Sequence, residues 1–115
     1  MVNRYVPDTG DIVFLDFDPQ VGREQAKRRP ALVLTDLRYN RASGLAVVCP
    51  LTSKVKPYPF TLPITVGSVD GAVLVDQLKS MDWEGRGAVF HSKAPSTMIA
   101  KVRQYIAVLL QIPSR

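Results

Sequence analysis

Cysteine, histidine and tryptophan each occur only once among the 115 residues of the chain. With Cys49 alone there can be no intrachain disulfide, and a reducing, intracellular setting is the one that fits. Cys49 lies in the apolar run Leu45-Ala-Val-Val-Cys-Pro50 and reads as a buried small hydrophobe, not a nucleophile. His91 alone excludes a nuclease built on a histidine pair. No Cys, His or carboxylate group stands at metal-ligand spacing, so neither a metal nor another cofactor is expected. No stretch approaches the roughly 18 apolar residues of a membrane span. The segment Met1-Val-Asn-Arg-Tyr-Val-Pro7 lacks the apolar core of a signal peptide, so a cytoplasmic location is expected. Internal repeats and low-complexity tracts are also missing.

What is present is positive charge. Fifteen Lys and Arg against ten Asp and Glu give a formal +5, which favours contact with a polyanion over binding of an acidic metabolite. The length leaves room for one domain, residues 1–115, with one core. A core this small gains from pairing with a second copy, so a homodimer is expected.

Asp11-Ile-Val-Phe-Leu-Asp-Phe17 is short, β-branched and aromatic and follows Gly10, which predicts a strand. From Asp18 to Arg29 the apolar residues nearly vanish, and a loop of ~12 residues in a compact domain is a candidate site by length alone. A second strand is predicted over Ala31-Leu-Val-Leu-Thr35, starting at Pro30, where a missing N–H is tolerated. Asp36 can cap a short helix through Asn40 that ends near Gly44. Leu45 to Leu51 forms the third strand, and Thr52 to Pro59 a basic, proline-bearing loop. Phe60 to Val66 and Ala72 to Met81 read as two strands joined by the turn Gly67-Ser-Val-Asp-Gly71, with a weaker strand near Gly87 to Phe90. The apolar positions Met98, Ile99, Val102, Ile106, Leu109 and Leu110 predict an amphipathic helix from Pro95 to Leu110 whose apolar face serves the core or a dimer interface. Many short strands and one terminal helix make a mainly-β α+β fold: a small SH3-like curled β-barrel with a C-terminal helix.

Polar residues gather in three places. The first loop carries Gly22-Arg-Glu-Gln-Ala-Lys-Arg-Arg-Pro30, the second begins Pro50-Leu-Thr-Ser53, and Asp76-Gln-Leu-Lys-Ser80 interrupts an apolar strand. Strand alternation puts Gln77 and Lys79 on one face, where they line a groove or form the solvent side of a half-buried sheet. Lys54, Lys56, Tyr58, Lys79 and Arg86 form a basic set interleaved with an aromatic, the pattern of a single-stranded nucleic-acid groove. Trp83 either stacks a base or packs the barrel edge. His91, after the apolar Val89-Phe90, reads as a structural or surface residue.

Five blocks occur in order: Gly22-x-Glu24-Gln25, Arg29-Pro30-Ala-Leu-Val-Leu-Thr35, Pro50-x-Thr52-Ser53, Tyr58-Pro59-Phe60 and Asp76-Gln77-x-Lys79-Ser80. Together they resemble the successive signatures of the MazF/PemK toxins, from Tyr5-Val-Pro-Asp8 to the terminal helix. The resemblance implies the barrel shared with CcdB-type gyrase poisons. It also implies cleavage of single-stranded messenger RNA at short sequences, and a cognate MazE-like antitoxin that covers a groove at the dimer interface. Arg29 and Thr52 are carried over as catalytic residues, and Glu24 beside them. Where many relatives have histidine after the loop glycine this chain has Arg23, which can hold phosphate with Gln25 but cannot shuttle a proton near neutrality.

Cutting RNA through its own ribose needs a base for the 2′-OH proton, donors for the charge on the phosphorane and an acid for the departing 5′-oxygen. The guanidinium of Arg29 grips two phosphate oxygens and the Thr52 hydroxyl donates to a third. Glu24 is the expected base, which requires its pKa to sit near neutrality. Alternatively it pairs with Arg23, Lys27, Arg28 or Arg29 and only folds the loop. A barrel of this kind could also be a non-catalytic, CcdB-like toxin that traps a protein such as gyrase, but such a toxin has no need of Arg29 and Thr52.

Overall fold

The strand Asp11–Asp16, β1, is apolar on both faces. Ile12 points into one apolar cluster while Val13, Leu15 and the following Phe17 point into another, as the two-residue period of a strand requires. The computed structural model describes residues 5–17, 28–54 and 58–113. After β1 come β2 (Arg28–Val33), α1 (Leu37–Ser43), β3 (Ala46–Thr52), β4 (Thr61–Val66), β5 (Val69–Leu74), β6 (Lys79–Met81), β7 (Val89–Lys93) and α2 (Ser96–Leu110), with a 3₁₀ turn over Val75–Gln77.

The strands form an antiparallel sheet in the order β4-β5-β3-β2-β1-β7, with β6 also on β3. β3 serves two neighbours along one edge: Ala46 to Val48 pair with β6, and Leu51 and Thr52 pair with β5. Between them lies Pro50, which has no N–H to continue a ladder. The sheet curls there into a mainly-β half-barrel. The concave side is filled by Ile12, Leu32, Leu51, Leu62, Ile64, Val73 and Val75 and closed by Ile99 and Val102 of α2. The second cluster, Val13, Leu15, Ala31, Val33, Val48 and Met81 among others, is covered by Tyr5 and Trp83.

Asp36 caps α1, accepting the Tyr39 N–H at 3.0 Å. Asn40 of α1 is fully buried and fully bonded: its amide donates to Pro7 O and Thr35 O, and its oxygen accepts from the Thr35 hydroxyl. The Trp83 ring donates to Asn40 O at 3.0 Å, so the tryptophan packs the barrel edge. No helix among the described residues is long and apolar enough to cross a membrane.

Two expectations need correction. Arg28 and Arg29 belong to β2, not to the preceding loop, because Leu15 and Asp16 of β1 pair with them. The single strand expected from Ala72 to Met81 is broken by the 3₁₀ turn, where Val75 is buried and its carbonyl accepts the Cys49 thiol at 3.8 Å. The alternation that put Gln77 and Lys79 on one strand face therefore does not hold.

Candidate active site

Thr52 ends β3, and its Oγ1 accepts the Lys54 N–H at 3.1 Å. That bond occupies a lone pair and leaves the hydroxyl proton to be donated elsewhere. β5 passes so close to Thr52 that a Cβ on Gly71 would collide with the Thr52 carbonyl, so only glycine fits there. Arg29 stands on β2 with its guanidinium carbon 5.5 Å from the centre of the Phe17 ring. Its Nη2 lies 3.5 Å from Leu51 O, at the limit of a hydrogen bond, and no stronger bond holds the planar fork among the described residues. The Lys79 ammonium lies 5.5 Å from the same ring centre, and the buried Phe17 thus brings two cations from distant parts of the chain together.

Arg29 and Thr52 line one cleft of about 690 Å³. Phe14, Arg28, Pro30, Leu51, Ser53 and Lys54 complete its cationic wall, and Ser68, Val69, Asp70 and Gly71 of the β4–β5 hairpin form the wall opposite. Arg28 is held in place: it pairs with Asp16 at 3.2 Å and donates to Phe14 O and Gly87 O. Asp70 accepts from the Thr65 hydroxyl at 2.8 Å. The cleft joins three separate cations to two hydroxyl side chains, Thr52 and Ser53. Such a set can fix a phosphate and stabilise added negative charge on it.

Other residues expected at the site are placed differently. Arg23, Glu24, Gln25 and Lys56 lie outside the described residues. Gln77 is exposed on the 3₁₀ turn. Arg86 is half-buried, and its guanidinium donates to the carbonyls of Asp16 and Phe17, so it braces the end of β1. Tyr58 is exposed and donates to Asp76 Oδ2 at 2.6 Å; that hydrogen bond, with the charge of Asp76, raises the phenol's pKa. The other oxygen of Asp76 is buried and without a partner among the described residues. Burial, with Asp76 nearby, pushes the Cys49 thiol up to about 12, so it is no nucleophile near neutrality.

Sequence reasoning missed Phe14 and Ser68 in the cleft, as well as the buried carboxylate oxygen of Asp76. The turn expected over Gly67-Ser-Val-Asp-Gly71 is confined to Gly67 and Ser68, because Val69, Asp70 and Gly71 pair with β4 as part of β5, and its apposition to Thr52 depends on the curl of β3. A larger groove of about 940 Å³, lined by Tyr5, Arg41, Trp83, Glu84, Val89 and Phe90 among others, is mainly apolar and includes neither Arg29 nor Thr52.

The family profile of PemK-like, MazF-like toxins of type II toxin-antitoxin systems matches residues 8–110. The chain belongs to that family. It is 41% identical to the endoribonuclease toxin MazF of Escherichia coli K12 over 110 residues, covering 96% of this chain and 99% of the relative. The crystal structure of MazF from Deinococcus radiodurans superposes with a TM-score of 0.86 at 44% identity, covering 95% of this chain and 100% of that one. A MazE–MazF complex from the same organism gives a TM-score of 0.90 at 44% identity, over 96% of this chain and 100% of the matched chain. This family member is therefore a full-length homologue of an endoribonuclease toxin, and its mainly-β curled half-barrel with a C-terminal helix is the MazF-like fold.

Proposed function

We propose that the chain is a sequence-specific endoribonuclease toxin that cuts single-stranded RNA by attack of the ribose 2′-OH on the adjacent phosphorus. The O2′–P bond forms as the P–O5′ bond breaks. The 2′ proton passes to a base, assigned to Glu24, and the departing 5′-oxygen takes up a proton. Products are a 2′,3′-cyclic phosphate and a 5′-hydroxyl. Arg29 and Thr52 neutralise the phosphorane, and Lys54 holds a flanking phosphate. The observation that carries this reading is the meeting of Arg29 and Thr52, 23 residues apart by their numbers, in one cationic cleft.

A homodimer is supported by the apolar end of α2, where Val108, Leu110 and Ile112 are 70%, 57% and 53% exposed. Neutralisation by a MazE-like antitoxin is supported by the relative solved as a MazE–MazF complex. An acidic, disordered tail that folds on binding would compete with RNA for the cations.

The test is cleavage of a labelled RNA in excess EDTA. Cleavage should persist, because the positive charge the phosphorane needs comes from arginine and lysine. RNA with a 2′-O-methyl group at the cut site should bind and stay intact. Loss of activity in EDTA, or cleavage of the blocked RNA, would overturn the mechanism. If unmodified RNA stayed intact under all conditions, the barrel would return to the role of a protein-binding toxin.

A further inference from the structure

The two ends of the sheet order are the β4–β5 hairpin and β7. They meet at His91. On β7, His91 Nε2 lies 2.8 Å from the Oγ of Ser68 in the hairpin turn, and Nδ1 lies 2.8 Å from Ser92 Oγ. The ring packs on Phe14 with centroids 5.5 Å apart. It also abuts Gly67, where an added Cβ would come within 3.4 Å of Cε1. Gly67 has the positive φ, 59°, that the first position of a tight hairpin turn demands. Ser68 and Phe14 both line the cleft that holds Arg29 and Thr52.

We infer that His91 is a positioning residue for RNA: through Ser68 it holds the β4–β5 turn in place as the second wall of the cleft. The inference rests on the RNA-cleaving function proposed above. Backbone pairing ties the hairpin to β3 near its base, at Leu51↔Val73 and Thr52↔Ala72. The tip lies beyond those rungs, and the histidine is the side chain that fastens it to the far end of the sheet. A wall fixed before the ligand arrives spares the ordering cost at binding.

The partners of His91 suit a permanent fastening. A hydroxyl donates or accepts, so Ser68 and Ser92 satisfy either tautomer and the charged imidazole alike. Charged groups on the elements packed against the ring are engaged elsewhere. Asp70 of β5 accepts from Thr65, Asp16 of β1 pairs with Arg28, and Lys93 of β7 pairs with Asp11.

Four variants test this: Ser68→Ala, His91→Ala, both together, and His91→Gln, whose amide reaches to the position of Nε2. The readouts are KM and kcat on a cleavable RNA, the Kd of the same RNA with a 2′-O-methyl block, and Tm. Each alanine variant should raise KM and Kd about fivefold, the worth of one net hydrogen bond, with kcat and Tm near those of the parent. The double variant should be no worse than the weaker single, since both remove one shared contact. His91→Gln should recover most of the affinity. A parental KM in His91→Ala, multiplying effects in the double variant, or a fall in kcat in place of the rise in KM would overturn the inference. A parent protein that fails to cut RNA at all would instead overturn the function on which it rests.

Discussion

Arg29 and Thr52 differ in what they can lend to a transition state. A guanidinium makes charge-assisted, two-pronged bonds to phosphate, while a hydroxyl makes one neutral bond of about half the strength. Arg29→Ala should therefore lose the larger part of turnover, about 10²–10³-fold, with Thr52→Ala losing less, as measured by single-turnover cleavage at saturating RNA. The Lys54 N–H donates to the Thr52 hydroxyl oxygen and leaves the hydroxyl proton free, so Thr52→Ser should keep the donor and most of the rate. Circular dichroism should show the parental fold in all three, because neither side chain supports a core cluster. The pair was legible in the sequence only through motif blocks in register. Phe14, Ser68 and His91 were not legible, since each is an ordinary strand or turn residue until the curl of the sheet brings it to the cleft.

At the level of elements, alternation and capping carried far. Asp36, Gly44 and the apolar spacing after Pro95 place both helices, and β1, β3 and β4 fall where β-branched runs predict them. The failures have non-local causes. Charge made Arg28 and Arg29 look like loop, yet pairing with β1 draws them into β2. Gln77 and Lys79 looked like one face of a strand, yet the packing of Val75 under β3 turns the chain there. That junction also carries a pH dependence. The Cys49 thiol has an ordinary pKa of 9.0 and is pushed up to about 12 in the fold, chiefly by burial. Above pH 9 the unfolded chain gives up this proton while the folded chain keeps it, so stability is full below pH 9 and falls as pH rises towards 12. The Tyr5 phenol, raised by burial and by its bond to Asp11, adds to the loss above pH 10. Urea midpoints measured from pH 8 to 11 should decline, and Cys49→Ala should flatten the slope between pH 9 and 10.

For the whole molecule, the apolar end of α2 calls for a partner. Val108, Leu110 and Ile112 are exposed apolar side chains near its end, surface that a second copy can cover. Light scattering at micromolar concentration should give twice the 12.7 kDa chain mass. Replacing Val108 and Leu110 with glutamate should shift the protein towards monomer, and a monomeric parent would refute the dimer. A different consequence follows from β3, whose last residues both bear Thr52 and hold the hairpin to the sheet. Catalytic competence then has a lower free-energy ceiling than the fold. A fluctuation that frees two rungs dissolves the cleft while β1, β2 and the buried half of β3 stay protected, because local opening costs less than global unfolding. A molecule opened at this seam would lack the site while β1 and β2 stay paired, so amide exchange at Leu51 and Thr52 should run ahead of that at Ile12 and Leu32.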